Sequence, residues 1–116
     1  MKFERLAVWQ KALDLSAEIH EVTRKFPKEE LYILTSQIKR AADSVALNIA
    51  EGSTGQTNAE FKRFLGYAIR SAIEVIACLH LAKRRPLMGS ADFERLYEHT
   101  EEVLRMTHGL RKSLDR

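Results

Sequence analysis

Six basic side chains, Lys62, Arg63, Arg70, Lys83, Arg84 and Arg85, fall within one stretch of the third quarter of the chain. On a helix each residue advances about 100°, so Arg63, Arg70 and Arg84 would share a sector of about 60°, with Lys62, Lys83 and Arg85 beside them. Such a stripe is either a solvated helix face or a track for the phosphates of a nucleic-acid backbone. No aromatic residue interleaves it, so stacking on bases is not expected. The net charge of +3 follows the same distribution, because residues 53–85 alone sum to +4. A mildly basic chain does not by itself imply nucleic acid; the concentration of charge in one segment says more.

The groups that carry catalysis or hold metals are poorly placed. Four-helix bundles can house di-iron sites built from Glu-x-x-His pairs, yet none of His20, His80, His99 and His108 follows a Glu by three. There is no Cys-x-x-Cys, His-Glu-x-x-His or phosphate-loop motif. Glu51 and Glu60 flank a turn, where two carboxylates more often cap helices or pair with Arg than bind a metal. Cys78 is the one cysteine; with no histidine placed to activate it, it reads as a small packed side chain. Trp9 lies beside an apolar stripe and reads as packing. The expectation is a binding protein, not an enzyme, with no cofactor, no metal and no small-molecule substrate.

Apolar periodicity supplies the elements that position these groups. Val8, Ala12, Leu15, Ile19, Val22 and Phe26 recur every three or four residues and predict a helix over Leu6–Lys25. Phe26-Pro27 ends it. Pro27, with Glu29 and Glu30 in the first turn, opens a second helix that runs to Glu51 along Leu31, Leu34, Ile38, Val45 and Ile49. Gly52-Ser53-Thr54-Gly55-Gln56 is the clearest break, and Thr57-Asn58-Ala59-Glu60 reads as a capping box. A third helix follows Phe61, Leu65, Ala68, Ala72, Ile76 and Leu79 to Arg85. After Pro86 and Gly89, Ser90 is a candidate cap for a fourth, carried by Phe93, Leu96, Tyr97, Thr100, Val103, Leu104 and Leu110. Four long helices with short loops predict an all-α, antiparallel up-down-up-down bundle, one domain over residues 1–116.

Two further stripes stand beside the core stripes. On the second helix Gln37, Arg40, Ser44, Asn48 and Glu51 share a sector of about 80°, and on the third Glu60, Tyr67, Ser71, Glu74 and Cys78 flank the apolar face. Folding the two helices about the 52–57 turn sets Gln37 level with Glu74, Arg40 with Ser71 and Ser44 with Tyr67. Gln37, Arg40 and Glu74 are then expected to be largely buried and mutually hydrogen-bonded, since buried charge needs a partner. Ile33 and Leu47 lie on the far side, away from the core. They are either isolated exposed apolar residues or an oligomer interface.

The opening residues Met1-Lys2-Phe3-Glu4-Arg5 lack the apolar stretch of a signal peptide. No uninterrupted apolar run approaches the ~20 residues of a membrane span, and a lone cysteine suits a reducing compartment. A cytoplasmic protein with no membrane partner is the expectation.

Several runs resemble a known family. They are Leu6-Ala7-Val8-Trp9-Gln10-Lys11-Ala12, Phe26-Pro27-Lys28-Glu29-Glu30, Gln37-Ile38-Lys39-Arg40-Ala41-Ala42, Ser44 through Gly52, and Glu60-Phe61 followed by Phe64-Leu65. Together they resemble the bacterial four-helix-bundle family of 23S rRNA intervening sequences, whose relatives include accessory proteins of diversity-generating retroelements. The resemblance implies a homo-oligomeric ring of five subunits and a nucleic-acid role, with RNA as the partner. The positions it carries over are Trp9, Gln37, Arg40, Ser44, Asn48, Glu51, Gly52, Glu60, Phe61, Ser71 and Glu74. Three positions depart from the family pattern. Ala46 stands where proline is frequent, Thr54-Gly55-Gln56 where basic residues are usual, and Arg70 where glycine is usual, which moves positive charge from the loop onto the third helix. The resulting expectation is a non-catalytic oligomer that binds RNA or another polyanion through the third helix. The alternative is a protein-interaction adaptor with a merely solvated basic face.

Overall fold

The computed structural model describes residues 1–55 and 57–115; Gln56, within the predicted break, and Arg116 lie outside the described residues. Four α-helices make up the fold: α1 (Ala7–Thr23), α2 (Ser36–Ser53), α3 (Asn58–Arg84) and α4 (Ser90–Ser113). No strand occurs among the described residues. At 1.5 Å per residue the 27-residue α3 is about 40 Å long, close to the 45 Å long axis of a molecule 23 × 20 Å in section. Each helix packs on its sequence neighbours and α4 closes against α1, with α2–α3 the most extensive interface and α1–α4 the least. This is the expected bundle.

Residues of all four predicted stripes meet in one core, except that on α3 Val75 is buried and the expected Ile76 and Phe61 are half-buried. Leu15, Ile19, Leu34, Ile38, Val45, Ile49, Leu65, Val75, Leu79, Leu96 and Val103 are essentially inaccessible, and burial of a side chain of this size contributes about 1.5–3 kcal/mol. Three buried threonines satisfy their hydroxyls locally: Thr23, Thr100 and Thr107 donate to the carbonyls of Ile19, Leu96 and Val103 four residues back. Cys78 is buried among them, as its reading as a packed side chain requires.

The segment before α2 departs from expectation. Pro27 does not open one regular helix; Lys28–Glu30 form a 3-10 turn and Leu31–Thr35 a π turn before α2 begins. A π turn bonds five residues apart rather than four, so it shifts the phase of what precedes it. Leu31, expected in the core, is instead 44% exposed, whereas Leu34 beyond it is buried. The cap of α4 also differs: Gly89 occupies the cap position, and Ser90 is the first helical residue. Thr57 does cap α3, its Oγ1 accepting from the Glu60 N–H at 3.1 Å.

By length and composition α3 is apolar enough to cross a membrane, with a mean hydropathy of 1.4 over its best 18-residue window. Arg70 and Glu74 interrupt its apolar residues, so no unbroken apolar run spans it. Only 33% of that window is buried within the chain, and Tyr67, Ile73 and Leu81 are among the residues left exposed.

Candidate functional site: the outer face of α2 and α3

The end of α2 and the start of α3 come close at Gly52. An alanine Cβ at Gly52 would lie 2.6 Å from Phe64 Cβ and 3.1 Å from the Phe61 ring. Only a residue without a side chain therefore lets the end of α2 seat against the start of α3. Phe61 is half-buried against it. Further along, Ser71 Oγ donates to Ser44 Oγ at 2.8 Å, and Asn48 Nδ2 donates to the Ser44 carbonyl and to its Oγ, both at 2.9 Å. Ser44 thus meets Ser71, one turn from the Tyr67 partner that the register argument assigns it. Trp9 joins α1 to the same region: its indole N–H donates to the Ala46 carbonyl at 3.2 Å, and Phe3 packs edge-on against its ring.

At the other end the seam opens. Gln37 Nε2 reaches Glu74 Oε2 at 3.4 Å, the predicted register. The expected burial, however, is absent: Gln37, Arg40 and Glu74 are all exposed, and no ion pair joins Arg40 to Glu74 among the described residues. The seam lies open at the surface: Tyr32 and Ile33, in the π turn before it, are exposed and flank the polar groups without covering them. Tyr32, Ile33, Gln37, Arg40, Ser44 and Glu74 line an open groove of about 690 Å³. Tyr32 is 89% exposed, Ile33 57% and, about four turns on within α2, Leu47 67%. Ile33 and Leu47 therefore do lie off the core. Glu51 is exposed, and its carbonyl accepts from Thr54 Oγ1 at 2.9 Å. The Glu60 carboxylate turns toward the Gly55 backbone, where a Cβ would sit 2.6 Å from its Oε1. Neither acid turns toward the other through any observed contact.

The six basic residues do not act as one set. Lys62 pairs with Asp115, holding that carboxyl below its usual range by a direct hydrogen bond. Arg85 pairs with Glu30 at 3.1 Å. Lys83 Nζ lies 4.5 Å from the centre of the Phe93 ring and the Arg63 guanidinium 5.2 Å from that of Phe64, both cation–π contacts that leave the charge without an acidic partner. Arg63, Arg70, Lys83 and Arg84 are exposed and make no ion pair among the described residues. The electrostatic site is thus these four, with Lys62 and Arg85 tied into the bundle. Burial pushes the Cys78 thiol up to about 11, with Glu74 acting in the same direction and Arg85 against it. At neutral pH it is a protonated, inaccessible group rather than a nucleophile.

The 23S rRNA-intervening sequence protein family matches residues 4–109. The chain belongs to that family. No curated protein matches it. Among solved structures it is similar to a protein of unknown function from the S23 ribosomal protein family of Bacteroides thetaiotaomicron, with 22% identity and a TM-score of 0.82 over 91% of this chain and 99% of the other. At that identity the likeness concerns the fold, and there it agrees with the four-helix architecture.

Sequence reasoning misses one group of contacts altogether. Across α1 and α4, Lys11 pairs with Glu102 at 3.0 Å and Arg95 with Glu18 at 3.1 Å. His99 Nδ1 meets Glu18, and its Nε2 lies 3.1 Å from the Lys11 carbonyl. The partners come from opposite ends of the chain, and no local spacing announces them.

Proposed function

We propose that this chain is a non-catalytic, cytoplasmic protein that assembles through the outer face of α2 into a closed homo-oligomer and binds RNA through α3. The observation that carries the reading is the row of exposed arginines on α3, Arg63, Arg70 and Arg84, with no acidic partner among the described residues. Beside them lie exposed apolar residues that a lone chain leaves wet. Three arginines on one monomer bind a phosphate backbone weakly at physiological salt. A ring repeats the stripe, and the contacts then reinforce one another through effective concentration. A ring of five is the number the sequence resemblance implies. The family's name refers to ribosomal RNA intervening sequences, which supports RNA as the polyanion. The buried thiol of Cys78 supports binding over nucleophilic catalysis.

The test is a salt titration of RNA affinity. Each phosphate contact adds about 0.7 to 0.9 to the slope of log affinity against log salt. Arg63→Ala with Arg70→Ala should lower that slope by about 1.4 to 1.8 and leave the assembly intact. A wild-type protein with no salt-sensitive RNA affinity would leave the adaptor reading. The groove at Tyr32 and Ile33 favours that second reading, since its exposed aromatic and aliphatic surface suits a protein partner.

A further inference from the structure

The expectation that no aromatic interleaves the basic stripe is corrected by the fold: Phe64 lies under Arg63 on α3 itself, and at the far end of α3 further rings come from α4. The His80 ring meets Phe93 edge-to-face with centroids 5.2 Å apart, and Tyr97 at 6.1 Å; Phe93 and Tyr97 are themselves 5.7 Å apart. Phe93 is buried and Tyr97 half-buried, whereas His80 is exposed. The imidazole is therefore steadied from beneath by two rings of the neighbouring helix while part of it faces solvent. One turn further along α3, at the i+3 and i+4 positions that share its face, stand Lys83 and Arg84. With Pro86 and Phe93 these three residues line an open cleft of about 520 Å³. Lys83 is oriented over the Phe93 ring, and Arg84 has no acidic partner among the described residues. Arg85, turned away to Glu30, is not part of the cleft.

We propose that this cleft is a nucleotide subsite for single-stranded RNA, in which an unstacked base lies on the His80 ring and the adjoining phosphate is held by Lys83 and Arg84. A planar ring beside two cations is the combination that single-strand binding uses, because every base has a face to stack and every nucleotide a phosphate. In a duplex the bases are stacked on one another, so a stacking platform of this kind selects unpaired segments. The inference rests on the reading of α3 as an RNA-binding face and specifies which form of RNA it takes.

Fluorescence anisotropy with a short labelled oligouridylate, the matching RNA duplex and inorganic polyphosphate as competitor separates the two claims. The wild-type protein should bind the single strand more tightly than the duplex. His80→Ala should weaken single-strand affinity roughly tenfold, the loss of one stacked base, and leave competition by polyphosphate unchanged. His80→Phe, which keeps a stacking ring, should retain the preference. If His80→Ala weakens the single strand while its thermal midpoint holds, the subsite stands. If wild type binds duplex and polyphosphate as well as single strand and His80→Ala changes none of them, the subsite is overturned and the polyanion reading survives. If wild type binds neither RNA nor polyphosphate, both fall. If His80→Phe loses affinity as fully as His80→Ala, ring stacking is not the cause and the subsite is again overturned.

Discussion

Between α1 and α4, charges pair off across the gap: Lys11 with Glu102, Arg95 with Glu18, and His99 with Glu18 and the Lys11 carbonyl. Between α2 and α3 the pairing stops halfway. Ser44, Asn48 and Ser71 are mutually bonded, whereas Arg40 and Glu74 face water, with Tyr32, Ile33 and Leu47 exposed alongside. The first seam is complete within a single chain and the second is not. Arg and Tyr are residues that interfaces concentrate, and this difference is what the proposed assembly through α2 rests on.

The comparison can be broken most forcefully where the second seam depends on absent side-chain volume. Gly52→Val places a β-branched side chain where even a Cβ would be 2.6 Å from Phe64. Overpacking of this kind costs about 1–3 kcal/mol, and a large drop in the urea midpoint is expected. An unchanged midpoint would mean that the helices separate there at little cost. On the completed seam, Glu18→Ala removes the partner of both Arg95 and the largely buried His99. Exposed ion pairs contribute little, so only the bond to His99 should register, lowering stability by about 1 kcal/mol in equilibrium unfolding. The acidic limb has a definite sign. Lys11 holds the Glu102 carboxyl below its usual range, so that contribution is present above the ordinary carboxylate pKa and is lost as pH falls through the lowered value. The smallest effect sharpens the comparison: Arg40→Ala, on the unfinished seam, should leave the chain's own stability within about 0.5 kcal/mol, since Arg40 is exposed. A large loss measured at dilutions that hold the chain monomeric would show that Arg40 is buried after all.

The fold was legible because it rests on period. Val8 to Phe26 and Leu65 to Leu79 repeat at helical spacing, and the breaks near Pro27, Thr54–Gly55 and Pro86–Gly89 use residues that stop helices for known reasons, although α2 runs through Gly52 to Ser53. The π turn was not legible: Leu31 and Leu34 keep helical spacing whichever turn they adopt, and only packing selects the wider one. The seam was half legible. Periodicity put Gln37 opposite Glu74, but burial depends on what covers the seam, and Tyr32 and Ile33 point outward. The His80–Phe93–Tyr97 cluster was invisible because its rings lie on different helices, and periodicity describes one helix at a time. Gly52 was marked as a break, yet its need to be glycine comes from Phe64, which no local rule connects to it.

The central claim is that the outer face of α2 is unfinished in one chain and completed by another. Light scattering on the wild-type protein and on Leu47→Glu tests it most directly. Leu47 is 67% exposed, so a charge there should not disturb the monomer's fold, and circular dichroism should be unchanged. Wild type is expected as one closed oligomer of uniform mass and Leu47→Glu as a folded monomer. A wild-type protein that is monodisperse as a monomer, or a Leu47→Glu variant that assembles as wild type does, would contradict the account.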